Sequence, residues 1–301
     1  MPDFPDPASR KRRRSTRRAL PGADEREASR PRIPRVNISE DIFEDVEEKI
    51  LRQLILRYQN EEALGAGLFL TPVSAYLNLP ALRAFWPLSS HDHNGNAYDL
   101  SGQGRTLTPT AVTYDRQRFA SVAIFEAGSN SMLERADEPG LSITGDLSLG
   151  CWLAFDGSFS YSSIAGKWSA GGAGGESFEL HAYFSAGEYY VEFSTHDGVT
   201  QFDTTLKEPS GGVDFLNTWL FVAATIDTAS QQQTVRLNTS TRTTAAPAAL
   251  QPTAAAFSIG YSGYAGSYLG GRVASPFLCA SALPAATLEQ LFHATRHIFG
   301  R

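Results

Sequence analysis

The chain has 301 residues, of which 42% are hydrophobic and 19% are charged. This balance is that of an ordinary globular protein, and it excludes a collagen-like, coiled-coil or wholly disordered chain. The net charge of −6 is unevenly distributed: residues 1–36 hold eleven Lys and Arg against five Asp and Glu, so the remainder is net −12. A basic arm on an acidic body predicts two different kinds of partner.

The cysteine content and the apolar stretches bear on where such a chain works. Cys151 and Cys279 each lie in an apolar stretch, which favours buried free thiols. The first residues, MPDFPDPASRKRRR, carry charge without an apolar core, so no secretory signal is expected. The longest apolar stretch is interrupted by Pro72 and is too short for a membrane span. We therefore expect synthesis in the cytoplasm and no membrane span.

Residues 1–36 form a basic, Pro- and Arg-rich arm that cannot bury enough apolar surface to fold alone. Arginine suits bidentate contacts to carboxylate or phosphate, so the arm is predicted to anchor the chain in an assembly. Without interleaved aromatic residues, sequence-specific reading of nucleic acid is not expected. Non-specific contact with phosphates and docking on an acidic protein surface both remain open. The predicted anchoring residues of the arm are Arg12, Arg13, Arg14, Arg17 and Arg18.

Residues 37–64 are predicted to form one amphipathic helix. Its apolar positions recur at spacings of three and four, at Phe43, Val46, Ile50 and Leu54. Such a face needs a partner, which could be the rest of the chain, a sister subunit or another protein. Residues 65–81, punctuated by prolines, are predicted to be an extended linker.

From residue 82 to 301 the pattern is that of short strands. LSITGDLSLGCWLAF, FELHAYF, YYVEFSTHD, WLFVAATID and TVRLN alternate apolar and other residues with a period of two, and Gly, Asn, Asp and Pro separate them. Many short strands without intervening helices predict an all-β sandwich or barrel. TLEQLFHATRHIFG is predicted to be a short closing helix with Leu288, Leu291 and Phe292 facing inward.

The order of these segments resembles the laminin-G-like, concanavalin A-like lectin-glucanase jelly rolls. The segments that carry the resemblance are AFWPLSS, DLSGQGRTLT, GDLSLGCWLAFD with Trp152, SSIAGKW, TWLFVAATID, TVRLN, FSIGYSG and YLGGRVASPFLCASALPAATLEQLF. Together they cover about 210 residues in the family's order. The resemblance implies a two-sheet antiparallel jelly-roll sandwich, but fold similarity alone says little about a ligand.

No catalytic constellation is predicted. Glycosidases of this architecture need two carboxylates held close together, commonly as E-x-D-x-x-E on one strand. Glu188 and Glu192 are four residues apart and could share a face, but the central acid is missing, which favours solvated carboxylates. Neither cysteine has a charged neighbour, and no G-x-S-x-G elbow occurs. We therefore expect a protein that is not an enzyme and requires no cofactor.

One loop offers ligands for a cation. Asp92, Asn94, Asn96 and Asp99 supply oxygen atoms in a Gly-containing loop, and Ca²⁺ prefers such ligands. The spacing is not that of an EF-hand, so a polar surface turn is the alternative.

Aromatic residues among glycines are the candidates for a binding surface. Tyr261, Tyr264 and Tyr268 lie in GYSGYAGSYLGG, and Trp168 lies at another loop edge. Sugar rings stack on such side chains, which combine a flat apolar body with a polar tip. The same loop could equally pack on a neighbouring subunit.

The sequence thus favours a non-enzymatic structural or adhesion protein, in which the arm and helix are anchors and the sandwich is displayed. Domains of this kind usually work outside cells, yet no export signal is expected here. A bacteriophage particle is consistent with both, because its proteins are made and assembled in the host cytoplasm. The protein would then lie on the tail, fibre or capsid surface. The expected partners are other virion proteins, sister subunits and a host-surface saccharide. Two alternatives stay open: a carbohydrate-binding module of an exported bacterial protein, and an architectural capsid or neck protein without a glycan ligand.

Overall fold

The alternating stretches of the sequence form strands in the computed structural model of the protein. The structure describes residues 71–88, 91–117, 120–157, 159–169, 174–207, 215–263 and 267–301, all within the compact unit Tyr58–Arg301. The predicted arm, the predicted helix and most of the predicted linker lie outside the described residues. The anchoring residues that therefore stay predictions are Arg12, Arg13, Arg14, Arg17, Arg18, Phe43, Val46, Ile50 and Leu54.

Strands are the main regular structure of the described chain, and two helices flank them. Helix α1 (Thr71–Leu77) comes first, within the predicted extended linker, because a proline is tolerated in the first turn of a helix. Helix α2 (Ala285–Thr295) and the 3-10 helix Arg296–Phe299 come last, and a 3-10 turn at Ala127–Ser129 joins two strands. The strands in chain order are β1 (Leu82–Phe85), β2 (Thr108–Thr110), β3 (Thr113–Gln117), β4 (Ala120–Phe125), β5 (Met132–Arg135), β6 (Leu147–Phe155), β7 (Tyr161–Trp168), β8 (Glu176–Ser185), β9 (Glu188–His196), β10 (Gln201–Lys207), β11 (Leu220–Asp227), β12 (Gln232–Leu237), β13 (Ser240–Ala245), β14 (Phe257–Ile259) and β15 (Gly271–Cys279).

These strands form two antiparallel sheets, which confirms the predicted sandwich. The first sheet has the order β13-β12-β11-β6-β15-β4-β3, and the second has the order β10-β9-β8-β7-β14-β5-β2. In the first sheet, β4 pairs with the first half of β15 and β1 pairs with the second half. A bulge between Ala274 and Phe277 separates the two halves.

The core of the sandwich lies between the sheets and follows the period of two. In β6, for example, Leu149, Cys151, Leu153 and Phe155 all belong to the cluster between the sheets. The other face of β6 is buried as well, so that the whole strand is inaccessible to solvent. The first sheet is therefore covered on both of its faces at β6.

Helices cover the outer face of the first sheet. Trp152 of β6 packs there against Phe292 of α2 and Phe299, with ring centroids 5.7 and 4.5 Å away. Its indole N–H donates a 2.9 Å hydrogen bond to the hydroxyl of Thr295. Tyr76 of α1 stacks on Phe85 in the same cluster. The predicted inward face of the closing helix is confirmed, since Leu288, Leu291 and Phe292 are buried.

Two further expectations can be compared with the structure. Cys151 and Cys279 are buried free thiols, as predicted. Among the described residues, no helix combines the length and the apolar character that crossing a bilayer requires.

Candidate functional site

A tight hairpin sets the register of the two strands at the centre of the site. Ala186 and Gly187 both have positive φ values, 53° and 85°, which is the conformation of a two-residue type I′ turn between β8 and β9. The turn places Tyr183 opposite Tyr190, and His181 opposite Glu192. Residues at alternate positions, such as Leu180, point into the core. The paired residues therefore share the outer face of the second sheet.

Three tyrosines form a row across this outer face. Tyr161 of β7 lies opposite Tyr183 of β8, which lies opposite Tyr190 of β9. The rings of Tyr183 and Tyr190 stack with centroids 5.0 Å apart and planes 14° apart. All three side chains are partly exposed. We call Tyr161, Tyr183 and Tyr190 the tyrosine row.

Polar side chains fill the next positions on the same face. The register places Ser163 beside His181, and it places Glu179 beside Ser194. We call Ser163, Glu179, His181, Glu192 and Ser194 the polar cluster. Glu179 and His181 are only 1% and 4% exposed, whereas Glu192 is partly exposed.

Contacts to His181 connect the polar cluster with the tyrosine row. His181 Nε2 lies 3.2 Å from Glu192 Oε1, and its Nδ1 lies 3.9 Å from Glu179 Oε2. The ring of Tyr161 stacks on the imidazole at 4.6 Å, and its hydroxyl donates a 3.0 Å hydrogen bond to Glu179 Oε2. Thr205 of β10 donates a hydrogen bond to the second oxygen of Glu192. The imidazole is thus held between two carboxylates and beneath a tyrosine.

The two carboxylates have opposite electrostatic environments. Burial raises the pKa of Glu179 above its ordinary value, although the charge of His181 and the hydroxyls of Ser262, Ser163 and Tyr161 act to lower it. Partial burial would also raise the pKa of Glu192. Hydrogen bonds from His181 and Thr205 outweigh that effect, so the pKa of Glu192 is lowered.

This geometry differs from that of a glycosidase. Retaining and inverting glycosidases hold two carboxyl groups on either side of a bound sugar, about 5–9 Å apart. Here the imidazole of His181 occupies the space between Glu179 and Glu192, and Glu179 is buried. The arrangement is suited to holding polar groups of a ligand beside aromatic rings.

The predicted aromatic residues fall in two places. Tyr261 and Tyr268 stack on each other with centroids 4.5 Å apart and are partly exposed, while Tyr264 lies outside the described residues. Their loop joins β14 to β15 and borders the polar cluster, since the amide of Ser163 donates to the carbonyl of Ser267. Trp168 lies at the far end of β7, is 4% exposed, and contacts His196 edge-on at 6.4 Å. The structure therefore brings the tyrosine loop to the site, but not Trp168.

The predicted calcium ligands are occupied by hydrogen bonds within the protein. Asp92 accepts from the amides of Asn94 and Asn96 and from the side chain of Asn96. Asp99 is buried and accepts from the amides of Phe85, Ser101 and Arg105 and from the hydroxyl of Ser101. Among the described residues, no group of three or more His, Cys, Asp or Glu side chains could hold a metal ion, and calcium stays a prediction from the sequence.

The sequence analysis missed the tyrosine row and most of the polar cluster, although a signal was present. In residues 179–183 (ELHAY) the polar and aromatic residues alternate with apolar ones, and residues 190–194 (YVEFS) repeat this alternation. Reflection about the Ala186-Gly187 turn pairs the two segments and places their polar positions on one face. Considering Glu188 and Glu192 along a single strand could not reveal Glu179 and His181 on its neighbour.

No protein-family model matches the chain, and no curated protein sequence matches it. Its fold is similar to that of the binding domain of Paraclostridial Mosquitocidal Protein 1, with a TM-score of 0.58 and 12% identity, covering 73% of this chain and 55% of that one. It is also similar to the botulinum neurotoxin serotype G binding domain, with a TM-score of 0.56 and 10% identity, covering 70% and 50%. Domain 4 of AbnA, a GH43 extracellular arabinanase from Geobacillus stearothermophilus, in complex with arabinotriose, gives a TM-score of 0.53 and 14% identity, covering 70% and 97%.

These similarities show the β-sandwich fold. The match spans about half the length of the two toxin domains and nearly all of the arabinanase domain. Both toxin structures are binding domains rather than catalytic ones.

Proposed function

We propose that the sandwich is a non-catalytic saccharide-binding module, and that its ligand lies on the tyrosine row and the adjacent polar cluster. The observation that carries the proposal is the alignment of Tyr161, Tyr183 and Tyr190 in one row beside Glu192 and Thr205. A saccharide ring offers an apolar face that stacks on aromatic rings, and its hydroxyls bond to flanking polar groups.

The two sheets support this location in different ways. Both described helices are associated with the first sheet, whose outer face carries the buried cluster around Trp152. The second sheet instead presents partly exposed tyrosines on its outer face. The arabinanase domain, which has the same fold and is in complex with arabinotriose, gives further support.

A glycan array followed by titration calorimetry on the full chain tests this proposal. We expect saccharide binding that weakens about 5- to 10-fold in Tyr183→Ala and in Tyr190→Ala, because an aromatic contact contributes roughly 1 kcal/mol beyond its buried area. Phe184→Ala is the matched control: Phe184 is 43% exposed and adjacent to Tyr183, but it points to the other face, where it contacts Tyr189. Absence of any saccharide ligand, or equal losses in all three variants, would refute the proposed site.

We further propose that residues 1–64 anchor this module in a larger assembly, namely a bacteriophage particle with the sandwich on its tail, fibre or capsid surface. The support is the charge asymmetry of the sequence, in which residues 1–36 are net +6 and the remainder is net −12. The expected partners are other particle proteins and sister subunits. If the chain is instead an exported carbohydrate-binding module, it would bind saccharide but would not be part of any particle. A purely architectural protein would bind no saccharide.

Deletion of residues 1–36 tests the anchoring role. We expect the truncated chain to retain saccharide binding while it is lost from assembled particles. Incorporation at the level of the full chain would show that the arm is not an anchor.

A further inference from the structure

Buried polar atoms without hydrogen-bond partners are concentrated in the polar cluster. Glu179 Oε1, His181 Nδ1, Ser163 Oγ and Ser194 Oγ are four of the eight such side-chain atoms in the described part of the chain. Ser163 lies near enough to Glu179 to lower its pKa, but neither Ser163 Oγ nor Glu179 Oε1 has a partner at hydrogen-bond geometry. They lie on three neighbouring strands, with Ser163 paired to His181 and Glu179 paired to Ser194. Nearly all buried polar groups in proteins are hydrogen-bonded, and a group left unpaired destabilises the folded state. Four such atoms in one place point to a ligand group that satisfies them.

The acceptors in this cluster define what kind of group this is. His181 Nε2 lies 3.2 Å from Glu192 and its Nδ1 lies 3.9 Å from Glu179, so both imidazole nitrogens face carboxylates. Glu179 Oε1 is an acceptor when the carboxyl group is ionised, and the hydroxyls of Ser163 and Ser194 can accept as well. A group that only donates, and donates several times, matches this set.

The charge of the surrounding face favours a cationic donor. The outer positions of β8, β9 and β10 carry the carboxylates of Glu179, Glu192 and Asp203. The lysine on this face, Lys207, is already paired with Glu188 at 2.5 Å. A buried carboxylate is stabilised by a directly bonded cation. An ammonium group combines a positive charge with three donors and no acceptor.

We propose that the polar cluster binds the ammonium group of an amino sugar, so that the saccharide recognised by this module carries free rather than acetylated amino groups. This inference rests on the saccharide-binding function proposed above. The sugar ring stacks on the tyrosine row, and its ammonium group donates to Glu179 Oε1 and to the hydroxyls of Ser163 and Ser194. Tyr161, whose ring covers His181, adds a cation–π contact when the ammonium group enters beside it.

Matched oligosaccharides test the inference on the full chain. Titration calorimetry compares β-1,4-linked glucosamine oligomers with N-acetylglucosamine oligomers of the same length and with an oligouronate. We expect the glucosamine oligomer to bind at least 10-fold more tightly than the acetylated one, because hydrogen bonds that involve a charged group are stronger than those between neutral groups. The oligouronate should not bind, because its carboxylates meet those of the cluster.

Substitutions distinguish specific recognition by the polar cluster from attraction to the overall negative charge of this face. Glu192→Gln and Glu179→Gln should each weaken binding of the glucosamine oligomer about 10-fold, and should weaken binding of the acetylated oligomer by a clearly smaller factor. Asp203→Asn removes the same charge from an exposed position on the same face and should change affinity less than 3-fold. Ser194→Ala, which removes one hydroxyl acceptor and keeps the charge, provides a second variant should a glutamate substitution prevent folding.

The outcomes distinguish this inference from the proposed function. Equal or tighter binding of the acetylated oligomer, or of the oligouronate, overturns the amino-sugar inference, while loss of that binding in Tyr183→Ala would still support a saccharide site. Binding of neither oligomer also overturns the inference, and the glycan array then decides whether any saccharide binds. An Asp203→Asn effect as large as that of Glu192→Gln would show that the cluster is not the recognition element.

Discussion

Replacement of Thr295 by valine tests how the outer face of the first sheet is covered. Thr295, at the end of α2, accepts the 2.9 Å hydrogen bond of the Trp152 indole, and both residues are buried. Valine has nearly the same shape as threonine, so the packing of Trp152 against Phe292 and Phe299 is retained. The acceptor for the indole is lost, together with the hydrogen bond that Thr295 donates to the carbonyl of Leu291 within the helix. The buried indole N–H is then left without a partner, at a cost of about 1–3 kcal/mol.

We expect Thr295→Val to lower the free energy of unfolding by about 2 kcal/mol. For a domain of this size, that corresponds to a fall of roughly 4–8 °C in the melting temperature. Thermal and urea unfolding of the full chain, followed by circular dichroism, measure the change. Thr287→Val is the control on the same helix, at a partly exposed position, and should change stability by less than about 0.5 kcal/mol. Equal stability of the two variants would refute the role of the Trp152–Thr295 bond, and altered saccharide affinity in Thr295→Val would contradict the separation of the two faces.

Four further predictions concern charged groups. Lys167 is 1% exposed and its ammonium group contacts Asp137, so Lys167→Met should lower the free energy of unfolding by about 2–3 kcal/mol in urea titrations. Because the pKa of Glu179 is raised, the folded state holds the proton of this carboxyl group more tightly than the unfolded state does. The stability of the wild type therefore falls as the pH rises above the ordinary value of 4.5. Glu179→Gln should melt at a higher temperature than the wild type, by a margin that grows from pH 4 to pH 8. The pKa of Glu192 is lowered, so its ionised form stabilises the fold at pH values above the ordinary pKa, and this stabilisation is lost on acidification. Glu192→Gln should therefore have a lower melting temperature than the wild type at pH 8, and the two melting temperatures should converge at acid pH. EDTA should leave the melting temperature unchanged, because Asp92 already accepts three hydrogen bonds; a fall of several degrees would instead establish the calcium site.

The sequence predicted the sandwich because strand periodicity is a local signal. In β6 every second residue is apolar, and these residues do face the other sheet. The same pattern does not show what covers the intervening residues. Trp152 could have been a surface residue by alternation alone, and only the packing of α2 over β6 explains why it is buried. Contacts between residues 143 positions apart, such as Trp152 and Thr295, leave no periodic trace.

The candidate site was less predictable, for two physical reasons. A site on a sheet face is assembled from several strands, and its members are brought together by register rather than by sequence spacing. Ser163 and His181 are neighbours only because β7 and β8 pair with a bulge between Ser163 and Ala165. Exposure was also misleading at Trp168, which borders a glycine-rich loop in the sequence and is nevertheless buried beside His196.

The two outer faces of the sandwich differ in a way that stability alone does not explain. The outer face of the first sheet is covered mainly by apolar contacts, with aromatic residues such as Phe292 of α2 packed over Trp152. The second sheet keeps a buried carboxylate at Glu179 and unpaired polar atoms on Ser163 and Ser194, each of which costs free energy in the unliganded protein. Apolar residues at these positions would remove that cost without disturbing the strand pairing. Where a chain retains local conflicts of this kind, they are expected at functional positions, and the polar cluster is therefore where a ligand's donors would recover the lost hydrogen bonds.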